Sequence, residues 1–418
     1  MMDIFEFIDK SPSAFHAVDN VVKELEKDSF SHFSESENWM LFPGIKGYVT
    51  RNSSSLIAFR IPEKKIKGFH IYCAHTDSPC FRIKEHPEMP FDGKYIRLNT
   101  EKYGGMILSS WLDRPLSVAG RVVVDTPDGL ITKLVNMDED IAVIPNVAIH
   151  MNGDINKGYE YKPQNDMLPL ICEADFTGEF DKLIAANAGV KEEDILGRDL
   201  FLYSRTPATL TGIDKKFILA PRLDDLECVY AGMCAMTEAQ SEEYITVFAI
   251  FDNEEVGSST KQGADSTFLE DTLFRIAETL SYSRTDYLKL ISDSFLVSAD
   301  NAHAAHPAMP SKADPVNKPF MNGGVVIKFN GNQRYATDAY SAAYLRKLCK
   351  ENNIPVQDYA NNSDIPGGST LGNISTAHVS VPTVDIGLAQ LAMHSACETA
   401  GYEDIDYLVR LVTAYMAK

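Results

Sequence analysis

The sequence predicts an α/β fold: a mixed, mostly parallel sheet flanked by helices and interrupted by an inserted, mostly β unit. Three observations carry this. Short apolar runs rich in β-branched and aromatic residues, such as Ile245-Thr246-Val247-Phe248-Ala249-Ile250-Phe251, read as strands buried on both faces. From Phe217-Ile218-Leu219-Ala220 onward, strands alternate with helical patterns over 226–238, 265–280, 339–352 and from Tyr402 to the C-terminus. Between about residue 88 and residue 210 the texture changes to short alternating segments. There, Arg121-Val122-Val123-Val124 and the turn Thr126-Pro127-Asp128-Gly129 read as antiparallel hairpins. The chain therefore divides into a discontinuous domain, 1–88 with 211–418, and an insert, 89–210.

The elements follow in order. Ser11 and Pro12 suit a helix cap and first turn, and Phe15, Val18, Val22 and Leu25 recur at helical spacing. Strands follow at Gly47–Thr50, Ser55–Phe59 and Gly68–Ala74. Within the insert, Phe180 to Ala186 carries the one clear helical period. No internal repeat or low-complexity segment interrupts the pattern.

Composition narrows the class. With 418 residues, 44% hydrophobic and 23% charged, the chain reads as an ordinary globular protein. A net charge of −20 argues against nucleic acid as a partner. No apolar run is long enough to cross a bilayer, so no membrane role is expected. Seven cysteines without CxxC pairs, and an N-terminus without a basic-then-apolar leader, give a cytoplasmic expectation.

Ile245–Phe251 ends in Asp252-Asn253-Glu254-Glu255. Two adjacent glutamates at the carboxyl end of a buried strand fit either a solvated acidic loop or a site where a cation offsets their charge. Four more segments end strands or start helices with ligand-type side chains. His75 and Asp77 follow Ala74; Asp224 and Asp225 precede a helix; Asp300 follows Ala299; His394 follows Met393. Singly, each histidine reads as a hydrogen-bonded structural residue and each aspartate as a helix cap. Together, two histidines and three carboxylates suit a pair of zinc-class ions with N and O ligands. One carboxylate must then bridge, since two ions about 3.5–4 Å apart repel.

These residues carry a resemblance. His75-Thr76-Asp77-Ser78-Pro79, Arg222-Leu223-Asp224-Asp225, Asp252-Asn253-Glu254-Glu255-Val256-Gly257-Ser258, Val297-Ser298-Ala299-Asp300 and Leu391-Ala392-Met393-His394-Ser395 resemble the M18 metalloaminopeptidases. The likeness extends to Ser11–Val18 and Thr50–Ser54. It implies a zinc-exopeptidase-like sheet and two divalent ions per subunit, Zn²⁺ first, with Mn²⁺ or Co²⁺ compatible. It assigns His75 and Asp300 to one ion, Glu255 and His394 to the other, and Asp224 to both. Asp77 would orient His75 through its second ring nitrogen, and Glu254 would be the general base.

The resemblance also implies peptide substrates with a free N-terminus. Lys328, interrupting the apolar run Gly324–Phe329, would meet an acidic N-terminal Asp or Glu; the alternative is an ion pair within the protein. A neutral, Leu-like preference also occurs in the family. Tyr335, in Asn332-Gln333-Arg334-Tyr335-Ala336-Thr337, fits an oxyanion donor or a packed aromatic. His150 would reach a neighbouring subunit's site, or simply sit on a hairpin loop, while His303 and His306 are assigned to packing or subunit contacts. The resemblance further implies a homo-oligomer, a dodecamer built from dimers, with the inserted domain making the dimer contact.

The chain departs from the family at three places. Asp225 stands where Asn is usual, which is expected to add negative charge beside the metals. Cys397 replaces a commoner basic residue, and Ser363-Asp364-Ile365-Pro366-Gly367-Gly368 lacks an arginine and a cysteine. A different class of reading, a metal-free scaffold that keeps the fold, is disfavoured by the complete ligand set.

Overall fold

A computed structural model describes residues 1–365 and 367–418, so Pro366 of the departing turn lies outside the described residues. The main sheet has nine strands, in the spatial order Ser31–His32, Lys46–Arg51, Ser55–Arg60, Tyr244–Phe251, Gly68–His75, Phe295–Ala299, Thr383–Gly387, Val325–Phe329, Val356–Ala360. Five of its eight pairings are parallel, and three are antiparallel. The mixed, mostly parallel sheet is as the apolar runs predict.

Its centre explains those runs. Every residue of Gly68–His75 is buried, because side chains alternate between two covered faces. Tyr72, Ala74, Phe248 and Ile250 pack under helices Ala14–Lys27, Leu223–Glu238 and Tyr402–Met416. Ile71, Cys73, Val247 and Ala249 pack under Phe268–Thr279, Arg284–Ser292 and Leu371–His378. Each fully buried large side chain contributes roughly 1.5–3 kcal/mol. Gly232 lets its helix lie close: a Cβ there would stand 2.2 Å from Phe248 Cε2.

The N-terminal helix begins at Ala14 with Ser13 at its cap, not at Ser11, and a short helix Ile4–Asp9 precedes it. Arg284–Ser292 and Leu371–His378 are helices that the period did not announce. Both are short, and the second carries Gly372, Ile374 and Thr376, all weak helix formers.

A second sheet is wholly antiparallel, ordered Gly129–Asn136, Leu116–Thr126, Ile195–Ser204, Cys80–Phe91, Tyr95–Tyr103, Leu170–Glu173. With helix Glu179–Ala188 it encloses its own core around Phe81, Trp111, Val118, Phe180 and Leu202. This sheet starts at Cys80, ahead of the expected boundary at 89. Pro87 and Pro90 hide that strand from the sequence pattern, and a bulge between Ile83 and Glu88 accommodates the irregularity.

A third, five-stranded sheet was not anticipated: Thr209–Thr211, Phe217–Ala220, Glu398–Gly401, Ala389–Leu391, Ala302–His303. Phe217–Ala220 thus belongs here and not to the main sheet. Among the described residues no helix is long and apolar enough to cross a membrane.

Candidate metal centre

Parallel strands end on one edge, and the three central ones carry their acidic and imidazole termini there together. Phe251 and His75 are register partners, and Phe295–Ala299 runs alongside. His75 closes one strand, Asp300 follows another, and Glu254 and Glu255 stand on a single 3₁₀ turn beyond Phe251. Asn253 makes that turn possible by taking φ +63°, a region Asn tolerates better than most residues. Asp224 and His394 arrive from the small sheet, after Phe217–Ala220 and Ala389–Leu391.

The two histidines face opposite oxygens of one carboxylate. His75 Nε2 lies 3.4 Å from Asp224 Oδ1 and 4.0 Å from Asp300 Oδ1. His394 Nε2 lies 3.6 Å from Asp224 Oδ2 and 3.3 Å from Glu255 Oε2. Donor atoms of His75, Asp224, Asp225 and Asp300 lie within 4.8 Å of one another, as do those of Asp224, Glu255 and His394. A third such group joins His75 to Glu254 and Glu255.

Buried Asp224 Oδ1 and Glu255 Oε1 have no hydrogen-bond partner, a costly arrangement unless a cation takes them up. Burial pushes Glu254 up to about 8 and Glu255 well above its usual range. Asp224 moves the other way: burial opposes it, but the facing imidazoles of His394 and His75, 3.6 and 3.4 Å away, hold it below the carboxylate range. Burial pulls His394 down and Asp224 more than reverses this, to about 8. Two imidazoles beside buried carboxylates, with oxygens of Asp224 and Glu255 lacking a partner, form a donor set that fits divalent ions of the zinc class.

The surrounding shell orients these groups. Asp77 accepts the N–H of Glu254 at Oδ1 and of Glu255 at Oδ2, each at 3.1 Å. His75 Nδ1 lies 3.1 Å from the Asp77 carbonyl and 3.5 Å from its carboxylate, so the closer contact to the second ring nitrogen is through the backbone. His394 Nδ1 meets the Gly105 carbonyl at 2.5 Å, which leaves Nε2 facing the carboxylates. Buried Glu398 accepts the N–H of His394 (2.7 Å) and of Asp224 (3.1 Å). Glu398, Gly105 and Tyr103 escaped the sequence reading; a glutamate four residues beyond His394 was the one local signal for them.

Asp225 is fully buried and accepts the His75 N–H at 3.1 Å. Burial raises its carboxyl well above the usual range, with Asp300 and Asp224 adding to the shift while His75 opposes it. Burial thus works against the negative charge that aspartate in place of Asn is expected to add beside the metals.

Lys328 is 2% exposed and saturated within the chain. Its ammonium donates to the carbonyls of Asp300 (2.7 Å) and Asn301 (3.2 Å) and lies 3.2 Å from Asp300 Oδ2. Tyr335 is a buried aromatic whose ring centroid is 5.2 Å from that ammonium. His150 sits on an exposed turn of the inserted unit and, among the described residues, its side chain makes no hydrogen bond or ion pair. His303 and His306 are exposed and stand outside the clustered donors.

Comparison with known proteins gives the family. The family model for aminopeptidase I zinc metalloprotease (M18) matches residues 7–416. A probable M18 family aminopeptidase 2 from Clostridium novyi is 45% identical over 97% of this chain and 95% of its own length. One from Ectopseudomonas mendocina is 40% identical over 99% of this chain and 96% of its own. Among solved structures, Ape4 in its complex with Nbr1 aligns with a TM-score of 0.96 at 35% identity, covering 99% of this chain and 85% of that one. The S. cerevisiae mApe1 dodecamer aligns at 0.86 and 26% identity, covering 99% and 95%. The chain belongs to the M18 family of zinc metalloproteases and is an aminopeptidase of that type.

Proposed function

We propose that the enzyme releases the N-terminal residue of peptides at a site of two divalent ions, zinc first, held by His75 and Asp300 on one side and by Glu255 and His394 on the other. Asp224 would serve both. The observation that carries this is Asp224 itself, with one carboxylate oxygen turned to each histidine. When bound, the ions supply Lewis acidity and lower the pKa of attacking water. Glu254 takes the water's proton at its carboxylate and delivers it to the departing amide nitrogen. Burial, by raising Glu254, suits it to hold that proton between the two steps. Asp77 and Glu398 orient the turns that carry these groups.

For the substrate we carry forward an acidic N-terminal Asp or Glu, attracted by the buried cation of Lys328. A second reading has its own support: three acceptors within 3.2 Å match the three donors of this ammonium. On that reading Lys328 serves Asp300, and a neutral N-terminal residue is preferred. Kinetics on Asp-, Glu- and Leu-terminated peptides, with bound metal counted, test both. Faster cleavage of Asp and Glu that Lys328→Ala abolishes supports the first; a wild type that prefers Leu supports the second. A folded protein that binds no divalent ion overturns the dimetal reading.

We also propose that 89–210, with the strand from Cys80, forms the contact of a homodimer within a larger assembly, as in the dodecameric yeast relative. Val147, Ile149 and Met151, exposed at 52%, 50% and 82% beside His150, support a partner at that loop. Seven unpaired cysteines support a reducing, cytoplasmic setting.

A further inference from the structure

The inserted sheet touches the metal centre through three consecutive residues. Strand Tyr95–Tyr103 ends with its last hydroxyl 2.6 Å from Asp77 Oδ2 and 2.8 Å from Asn253 Nδ2. The direction of these bonds follows from the next pair. Asn253 Oδ1 accepts from Thr260 Oγ1 at 2.8 Å and Gln262 Nε2 at 2.9 Å, which turns its amide nitrogen toward Tyr103. The tyrosine oxygen accepts that donor, so its own hydrogen goes to Asp77. Asp77 in turn receives the N–H groups of both Glu254 and Glu255.

The next two residues press on the same site. Gly104 has φ +75°, and a Cβ there would stand 3.1 Å from Glu255 Cβ and 3.3 Å from the Glu255 carbonyl oxygen. Gly105 meets His394 Nδ1. The Tyr103 ring is held edge-on to Phe201, 5.7 Å away, so its orientation belongs to the inserted sheet and not to the catalytic loop.

We propose that Tyr103 is a positioning residue: by pinning Asp77 between the amides of Glu254 and Glu255, its hydroxyl keeps one glutamate directed at the metals and the other at the water. This rests on the roles proposed above for that pair. Removing the hydroxyl takes one of two donors from Asp77 Oδ2 and leaves the Asn253 amide only its longer bond to Asp252 Oδ1, 3.3 Å, while the ring and its packing stay. Losses of this kind in groups behind a metal site cost about 10–100-fold in metal affinity or activity.

The test compares full-length wild type with Tyr103→Phe in three measurements: zinc affinity by competition with a chromophoric chelator, kcat and KM on N-terminal-residue substrates, and thermal unfolding without metal. The expected result is zinc binding weaker by about 10–100-fold, a comparable fall in kcat, KM within about threefold, and little change in metal-free unfolding. Gly104→Ala, which pushes on Glu255 without touching the hydroxyl, is expected to lower zinc affinity and kcat together as well. A folded Tyr103→Phe protein with zinc affinity and kcat within about twofold of wild type overturns the proposal, whatever its melting temperature. Should Tyr103→Phe fail to fold, the same wild-type values in Phe201→Leu, which removes the ring that orients Tyr103, overturn it. A wild type that neither binds zinc nor releases N-terminal residues removes the metallopeptidase reading itself, a result distinct from an unaffected Tyr103→Phe.

Discussion

At the scale of the residue, the glutamate pair divides by direction. Glu255 reaches both histidines, standing 3.3 Å from His394 and within the cluster of His75, while Glu254 joins the cluster of His75 alone. Glu254→Gln is accordingly expected to retain zinc and lose kcat by roughly 10²–10⁴-fold, checked by metal analysis beside steady-state kinetics. The histidines set a pH dependence. In the metal-free protein His394 is raised to about 8, so its pairing with Asp224 stabilises the fold fully below its unfolded value and is lost as pH rises through 8. Zinc needs neutral imidazole and must expel that proton below pH 8. Apparent zinc affinity should therefore fall as pH drops from about 8.5 to 6.5, by up to about tenfold per unit per proton released. A chelator competition series gives the slope.

The candidate ligands were readable because each follows an apolar run, which places a polar side chain at a sheet edge. Tyr103, Gly105 and Glu398 were not. Their importance lies in partners such as Asn253 and His394, 150 and 289 residues away from Tyr103 and Gly105.

At the scale of the element, helix Leu223–Glu238 links core and site. Its N-terminal end carries Asp224 and Asp225, and its body is buried against Tyr72 and Phe248. Gly232 permits that approach; Gly232→Ala would place a methyl 2.2 Å from Phe248 Cε2 and 2.8 Å from Tyr72 Cε1. The higher helix propensity of Ala is outweighed, and a loss of about 1–3 kcal/mol is expected by denaturant unfolding. Long periodic helices and apolar strands were legible in the sequence. The strand Cys80–Phe91 and the third sheet were not, because prolines mask the first and strands of two to four residues carry too little pattern for the second.

At the scale of the molecule, three sheets meet at one acidic edge. The main sheet contributes His75, Asp300 and the glutamates, the small sheet Asp224 and His394, and the inserted sheet the supporting contacts of Tyr103 and Gly105. Four carboxylates, Asp224, Glu254, Glu255 and Asp300, crowd the site beside the carboxyl of Asp225, and cations would offset the charge they carry. Chelation is expected to lower the melting temperature, with zinc restoring it by mass action: about 2.7 kcal/mol per site at a free concentration 100 times Kd. Calorimetry of the metal-free and reconstituted protein measures this.

The sequence by itself determined the sheet class, the candidate ligand set and the M18 membership, because burial, strand ends and motif strings are written in neighbouring residues. Tertiary structure decided how the set is used. It turned the two oxygens of Asp224 to different histidines, filled the donors of Lys328 within the chain, buried Asp225 against the His75 amide and brought Tyr103 to Asp77. Each of these depends on which distant groups the sheet register brings within reach of one another, from 2.6 Å for Tyr103 and Asp77 to 3.6 Å for His394 and Asp224. No local pattern encodes that register.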